Sequence, residues 1–136
     1  MSLKRKLLLA AAVALPTLIL LTAVFLSTPT MEWLQKRIDR EPQSDFSRDL
    51  QMWTADVCLA TWRPEEAAPR YRLYYERYTK DLRRAHALLR YAIALEDAGR
   101  NADAIDIYTK YLAQYPDHEE RTEAEIGVNR IKHSSH

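Results

Sequence analysis

Chemistry in this sequence would have to come from four histidines, one cysteine and 19 carboxylates. The histidines are His86, His118, His133 and His136, and the nearest pair, His133 and His136, stands three apart at the C-terminal end. That spacing could hold a stray metal ion, but the tail is expected to fray. His118-Glu119-Glu120 sets carboxylates beside an imidazole, yet it lacks the second histidine that a zinc-protease helix requires. Cys58 lies among Val57, Leu59 and Ala60 and has no second cysteine to pair with, so it reads as a buried, inert thiol. Gly99 and Gly127 are the only glycines. They leave little material for a phosphate-cradling loop or a nucleophile elbow. No catalytic, cofactor-binding or metal-ligating residue is expected, and the chain reads as a non-enzyme.

Recognition chemistry is richer. Tyr71, Tyr74, Tyr75 and Tyr78 recur at i, i+3, i+4 and i+7, one face of a helix. Aromatic residues at that spacing more often build a core than a binding strip. Four phenols, however, exceed what a small core easily satisfies, since each hydroxyl wants a hydrogen bond. Tyrosine and tryptophan are also enriched at interfaces. Trp53, Trp62, Tyr71, Tyr74, Tyr75, Tyr78, Tyr108 and Tyr111 are therefore the candidate partner-binding residues.

Charge divides along the chain. Residues 70–90 carry seven basic side chains against Glu76 and Asp81, whereas residues 96–125 carry nine acidic against three basic. Two solvated faces that attract each other within the fold are one reading. A basic, tyrosine-rich strip meeting anionic lipid or an acidic partner is the other. All 19 acidic residues and 17 of the 20 basic ones follow the apolar N-terminal run, leaving that part at −2. This balance argues against nucleic acid as a partner.

Elements positioning these residues are read as helices nearly throughout. Pro29 suits the first turn of a short amphipathic segment, Met31–Arg40, that ends at Glu41-Pro42-Gln43. Ser44 is a plausible N-cap for a helix to about Trp62, with Leu50, Trp53, Val57 and Ala60 as its apolar stripe. Arg63-Pro64 ends it, and Pro69 is expected to mark a further interruption. A helical pattern runs from Arg70 to about Ala98, with a break expected near Thr79–Asp81. Gly99 supplies a left-handed turn, Asn101 caps the next helix, and Pro116 stops it. Asp117 with Glu120 has capping-box spacing for a last helix to about Lys132, whose apolar face is Ala124, Gly127, Val128 and Ile131.

The N-terminus carries the strongest physical signal. Leu7–Leu26 contains no charge, and twenty such residues make a helix about 30 Å long, the thickness of a bilayer's hydrocarbon core. A signal peptide is the rival reading, but its apolar region is shorter and it ends at a small-x-small site. Phe25-Leu26-Ser27-Thr28-Pro29 offers no such site. With Lys4, Arg5 and Lys6 held in the cytoplasm, the rest of the chain lies across the membrane, in a Gram-negative cell the periplasm. Trp33 is placed at the membrane–water interface, where indoles gather.

Residues 85–118 show a further pattern. Leu88, Tyr91, Ala92 and Leu95 make one apolar helix face, Gly99 the turn, and Ala104 and Tyr108 the facing helix, with Pro116 closing the unit. This stretch resembles a tetratricopeptide repeat, a helix–turn–helix unit of about 34 residues. Tyr111 departs from the family, which usually has a small residue there. Residues 44–62 and 70–82 could form a degenerate preceding hairpin, and residues 117–132 a capping helix. The resemblance implies a groove for peptide segments or partner subunits, and no chemistry.

The fold class expected is all-α, a single N-terminal transmembrane helix followed by a TPR-like helical-hairpin domain. Its parts are a cytoplasmic stub and span at 1–28, amphipathic and linker helices at 29–69, and the TPR-like domain at 70–136. The function expected is a single-pass inner-membrane interaction module, held in the bilayer through residues 7–26 and bound to other subunits of a membrane complex. A periplasmic, chaperone-like binder of transient clients is the alternative.

Overall fold

The computed structural model describes residues 1–134, which form seven α-helices and no strand among the described residues. Helix α1 spans Leu3–Phe25, α2 Thr28–Arg40, α3 Asp45–Ala60, α4 Pro64–Arg77, α5 Arg84–Asp97, α6 Asn101–Gln114 and α7 Arg121–Ser134. His136 lies outside the described residues.

Helix α1 has 23 residues, a mean hydropathy of 2.5 in its most apolar stretch, and no buried residue. By length and composition it is either a membrane span or a signal sequence. Its polar atoms are satisfied internally: the Thr17 hydroxyl donates to the Val13 carbonyl (2.7 Å) and Thr22 to Leu18 (2.8 Å). Pro16 lies inside the helix. Membrane-crossing helices tolerate such a residue.

Helices α2 to α7 form a sequential array, each packed chiefly on its neighbours in the chain. One core runs through it, from Met31 and Met52 past the tyrosines of α4 to Leu88, Leu89 and Leu95 of α5 and Ile131 of α7. Each fully buried leucine contributes roughly 1.5–3 kcal/mol of transfer free energy. The α5–α6 hairpin follows the expected pattern closely. Leu88, Ala92, Leu95, Ala104, Tyr108 and Tyr111 are all buried, and Tyr91 is half-buried. Gly99 sits at φ +77, and a Cβ there would meet nothing within 4 Å, so the backbone angle alone asks for glycine. At Gly127 the reverse holds. A Cβ would stand 2.5 Å from Cζ of Tyr108, so the missing side chain is what lets α7 close on α6.

Several sequence expectations need correction. Pro69 does not interrupt the chain. It lies inside α4, which starts at Pro64. Pro64 occupies the first turn, where no N–H is needed, whereas Pro69 lies past that turn and removes the bond to the Glu65 carbonyl without ending the helix. Helix α4 therefore crosses the expected 69/70 boundary. Asn101 is the first helical residue of α6, and Arg100 holds the cap position without a side-chain bond. The last helix opens at Arg121, later than its capping-box spacing suggested. Glu120 is engaged elsewhere, with its carboxylate 2.7 Å from Nδ1 of His86 on α5.

The largest departure concerns α3. Its buried residues are Ser47, Gln51, Met52, Thr54, Ala55 and Cys58, a face shifted from the predicted apolar stripe. Gln51 explains the choice. Its amide is fully buried and bridges Gln35 of α2 (2.9 Å) to the Arg70 carbonyl of α4 (3.0 Å), filling the space between those helices with satisfied polar contacts. The stripe of Leu50, Trp53, Val57 and Ala60 is left half-exposed or exposed, with Phe46 at its start 66% exposed.

Candidate functional site

The eight aromatic candidates divide into two groups. Tyr71, Tyr74, Tyr75, Tyr78, Tyr108 and Tyr111 are all buried, none more than 7% exposed. Each hydroxyl has a partner inside the chain. Tyr71 donates to Asp56 (2.5 Å), Tyr74 to Asp81 (2.6 Å), Tyr75 to Gln114 (2.5 Å), Tyr78 to the Pro42 carbonyl (2.7 Å) and Tyr108 to Glu96 (2.7 Å). The Tyr111 hydroxyl lies 2.5 Å from Nδ1 of His118. The helical array thus answers the objection that a small core cannot satisfy so many phenols. Every partner stands at a helix end, in a loop or on the outer side of a neighbouring helix.

Burial raises the pKa of these phenols. Burial, and then the Asp56 carboxylate, push Tyr71 well above its ordinary value. Burial and Asp81 do the same for Tyr74, and burial and Glu96 for Tyr108. Tyr111 is pushed up to about 12 by burial and by the acidic residues Glu120, Glu123 and Glu119. The carboxylates move the other way. The Arg130 guanidinium, 2.6 Å from Glu96, outweighs burial and holds that carboxyl below its usual range. For Asp81 burial raises the pKa, but hydrogen bonds from Tyr74 and from the backbone and side chain of Arg83 outweigh it.

The basic segment 70–90 is mostly spent within the array. Arg83 pairs with Asp49 (2.6 Å) and Asp81 (3.2 Å), and Arg77 pairs with Asp39 (2.7 Å). Arg84 donates to the Tyr75 carbonyl and lies 4.0 Å from the centroid of the Tyr75 ring. Arg70 is buried and donates to the Glu66 carbonyl. These partners lie on α2 (Asp39), α3 (Asp49), α4 (Glu66 and Tyr75) and the α4–α5 loop (Asp81). The acidic segment 96–125 meets the basic one mainly through His86 and Glu120, so neither predicted face is a continuous strip.

Trp53 and Trp62 form the second group and retain accessible surface, 39% and 91%. Trp53 lies in the α3 stripe and its ring stands 6.1 Å from that of Phe25, the last residue of α1. The stripe therefore meets the apolar helix at this contact. Trp62 occupies the α3–α4 turn at φ +60, the described non-glycine residue with a positive φ. A bulky side chain there costs about 1–2 kcal/mol in backbone strain. The turn is held by hydrogen bonds from Arg63 N to the Cys58 carbonyl (2.9 Å) and from Trp62 N to the Leu59 carbonyl (3.3 Å).

Arg63 is a residue the sequence did not single out beyond its place before a proline. Its guanidinium donates to the Leu26 carbonyl and to the Thr28 hydroxyl (3.3 Å), and it pairs with Glu66 (3.6 Å). Glu66 in turn accepts from Thr28 (2.6 Å). This cluster ties the α1–α2 junction to the α3–α4 corner. Nothing in spacing or hydropathy announces it, because the pair Leu26 and Thr28 is 35 or more residues from the pair Arg63 and Glu66 that it meets. Trp33 is 64% exposed, and Lys4, Arg5 and Lys6 are exposed near the start of α1.

Among the described residues no group of three or more His, Cys, Asp or Glu is placed to hold a metal ion. The search of curated proteins returned no match to the chain. Residues 85–124, from α5 into the first turn of α7, match the family model described as tetratricopeptide repeat, and this stretch of the helical array is TPR-like.

Proposed function

We propose that this chain is a single-pass, membrane-anchored protein–protein interaction module, an accessory or assembly subunit docking on the periplasmic face of an integral membrane complex. In this reading residues 1–28 are the cytoplasmic stub and span, residues from 29 on form the helical array across the membrane, and residues 85–124 of it carry the repeat. Residues 7–26 lie in lipid, Lys4, Arg5 and Lys6 stay on the cytoplasmic side, and Trp33 rests at the interface.

One observation carries the proposal. The apolar stripe of α3 is only partly covered by the array and meets α1 at the Trp53–Phe25 contact. A partner covering that stripe sits against the membrane by geometry, as a neighbouring subunit does. Trp53 supplies the accessible aromatic area of this stripe.

Photocrosslinking tests the proposal in native membranes. A photoreactive side chain replaces Leu50 or Ala60 of the stripe, or exposed Arg72 of α4 as the control. One dominant adduct from the stripe positions, absent from Arg72, is expected. A smear of adducts supports the client-binding alternative, and no adduct, or equal adducts from Arg72, contradicts both.

A further inference from the structure

We infer that the α3–α4 corner, Thr61-Trp62-Arg63, rests in the headgroup layer of the bilayer, with Trp62 as the side chain that enters it. The inference depends on α1 spanning the membrane, as proposed above.

Height is the first observation. Thr61 and Arg63 share an open, largely apolar groove with Leu18, Ile19 and Thr22 of α1. These are residues of the last third of the apolar helix, so the corner stands beside the end of the span and not above it. When α1 fills the hydrocarbon layer, its last turns and whatever flanks them lie at the boundary with the headgroups.

Rigidity is the second. Arg63 binds the Leu26 carbonyl, Thr28 and Glu66, while Glu66 takes a second bond from Thr28. The corner is thereby fixed to the C-terminal end of α1 across the α1–α2 junction. It cannot swing away from the membrane without breaking that cluster.

Chemistry is the third. Trp62 is 91% exposed, the highest of the three tryptophans, and the chain offers its ring almost no cover. It sits at φ +60, where glycine is the residue that fits without strain. An indole suits the interface because its ring is apolar and its N–H still finds water or a headgroup oxygen. The strained backbone and the uncovered ring are both explained when the side chain serves a surface outside the fold.

The full chain carrying Trp33→Phe and Trp53→Phe leaves Trp62 as the sole indole. It is reconstituted in vesicles of phosphatidylcholine and phosphatidylglycerol, with phosphatidylcholine brominated either near the headgroup or deep in the acyl chain. Co-flotation of the protein with vesicles reports insertion of α1. The expected result is co-flotation, with Trp62 emission quenched several-fold by shallow bromines and much less by deep ones. Co-flotation with emission untouched by either lipid overturns the inference alone and leaves the ring free for a protein partner. Failure to co-float overturns both the inference and the anchor on which it rests. In the otherwise native chain, Trp62→Phe alone is expected to remove part of the shallow-quenched signal, a reading that does not depend on the double substitution. An unchanged signal there also overturns the inference.

Discussion

Two turns of this molecule are built on the same backbone plan with opposite residues. At the end of α5, Arg100 N bonds to the Leu95 carbonyl and Gly99 N to the Glu96 carbonyl, both at 2.9 Å. At the end of α3, Arg63 N bonds to the Cys58 carbonyl at 2.9 Å and Trp62 N to the Leu59 carbonyl at 3.3 Å. Each closes a helix with a left-handed residue followed by arginine and a new helix. The first uses glycine and belongs to the hairpin that matches the repeat family; the second carries tryptophan at the strained position. The difference teaches where the chain is optimised for folding alone and where it gives up stability for a surface feature.

The largest effect expected spares neither hairpin. Tyr71 and Tyr74 of α4 and Tyr108 and Tyr111 of α6 all ionise less readily when folded than when unfolded. Their contribution is complete below the unfolded value of 10.0 and is lost as pH rises toward about 12 for Tyr111 and beyond it for the others. Circular dichroism against pH should show steep, cooperative loss of helix above that point. Loss of one hairpin before the other would break the view that a single core joins them.

Glycine substitutions sharpen the contrast. Gly127→Ala forces a methyl group against the Tyr108 ring and should cost about 1–3 kcal/mol in denaturant titration. Gly99→Trp, which copies the α3 turn into α5, should cost about 1–2 kcal/mol, since the space is open and only the backbone angle objects. The reverse exchange, Trp62→Gly, should stabilise the detergent-solubilised chain by about 1 kcal/mol. Destabilisation by Trp62→Gly would show that the indole packs within the fold after all. Smallest is the acid effect. Asp49, Asp81 and Glu96 titrate below their ordinary values when folded, so their stabilisation is present above about pH 4.5 and fades as pH falls through the lowered values. Because their arginine partners are partly exposed, each pair should be worth about 1 kcal/mol or less, read as a modest shift in melting temperature.

Legibility in the sequence followed periodicity. The apolar run, the Gly99 turn and the faces of α5 and α6 are short-range patterns, and each stands where spacing placed it. Helix α3 misled because Gln51 and Thr54 look like solvent-facing residues, whereas Gln51 turns inward to bridge Gln35 and Arg70, Thr54 donates to the Gln51 carbonyl, and Leu50 and Trp53 are left facing out. Pro69 misled because a proline inside a helix need not end it when its neighbours Ala67, Ala68, Arg70 and Tyr71 are packed in the core. The tyrosines pointed to an interface only while their acceptors were unknown. Asp56, Gln114 and Glu96 lie 12 to 39 residues away and no local pattern links them. The Arg63 cluster was invisible for the same reason.

The most direct test of the anchored interaction module is the state of the chain in carbonate-washed membranes, read by intact mass. Retention in the washed membrane at the mass of the full 136-residue sequence is the result expected. Recovery in the soluble fraction, cut near the end of α1, would leave the helical array intact and contradict its placement at the bilayer.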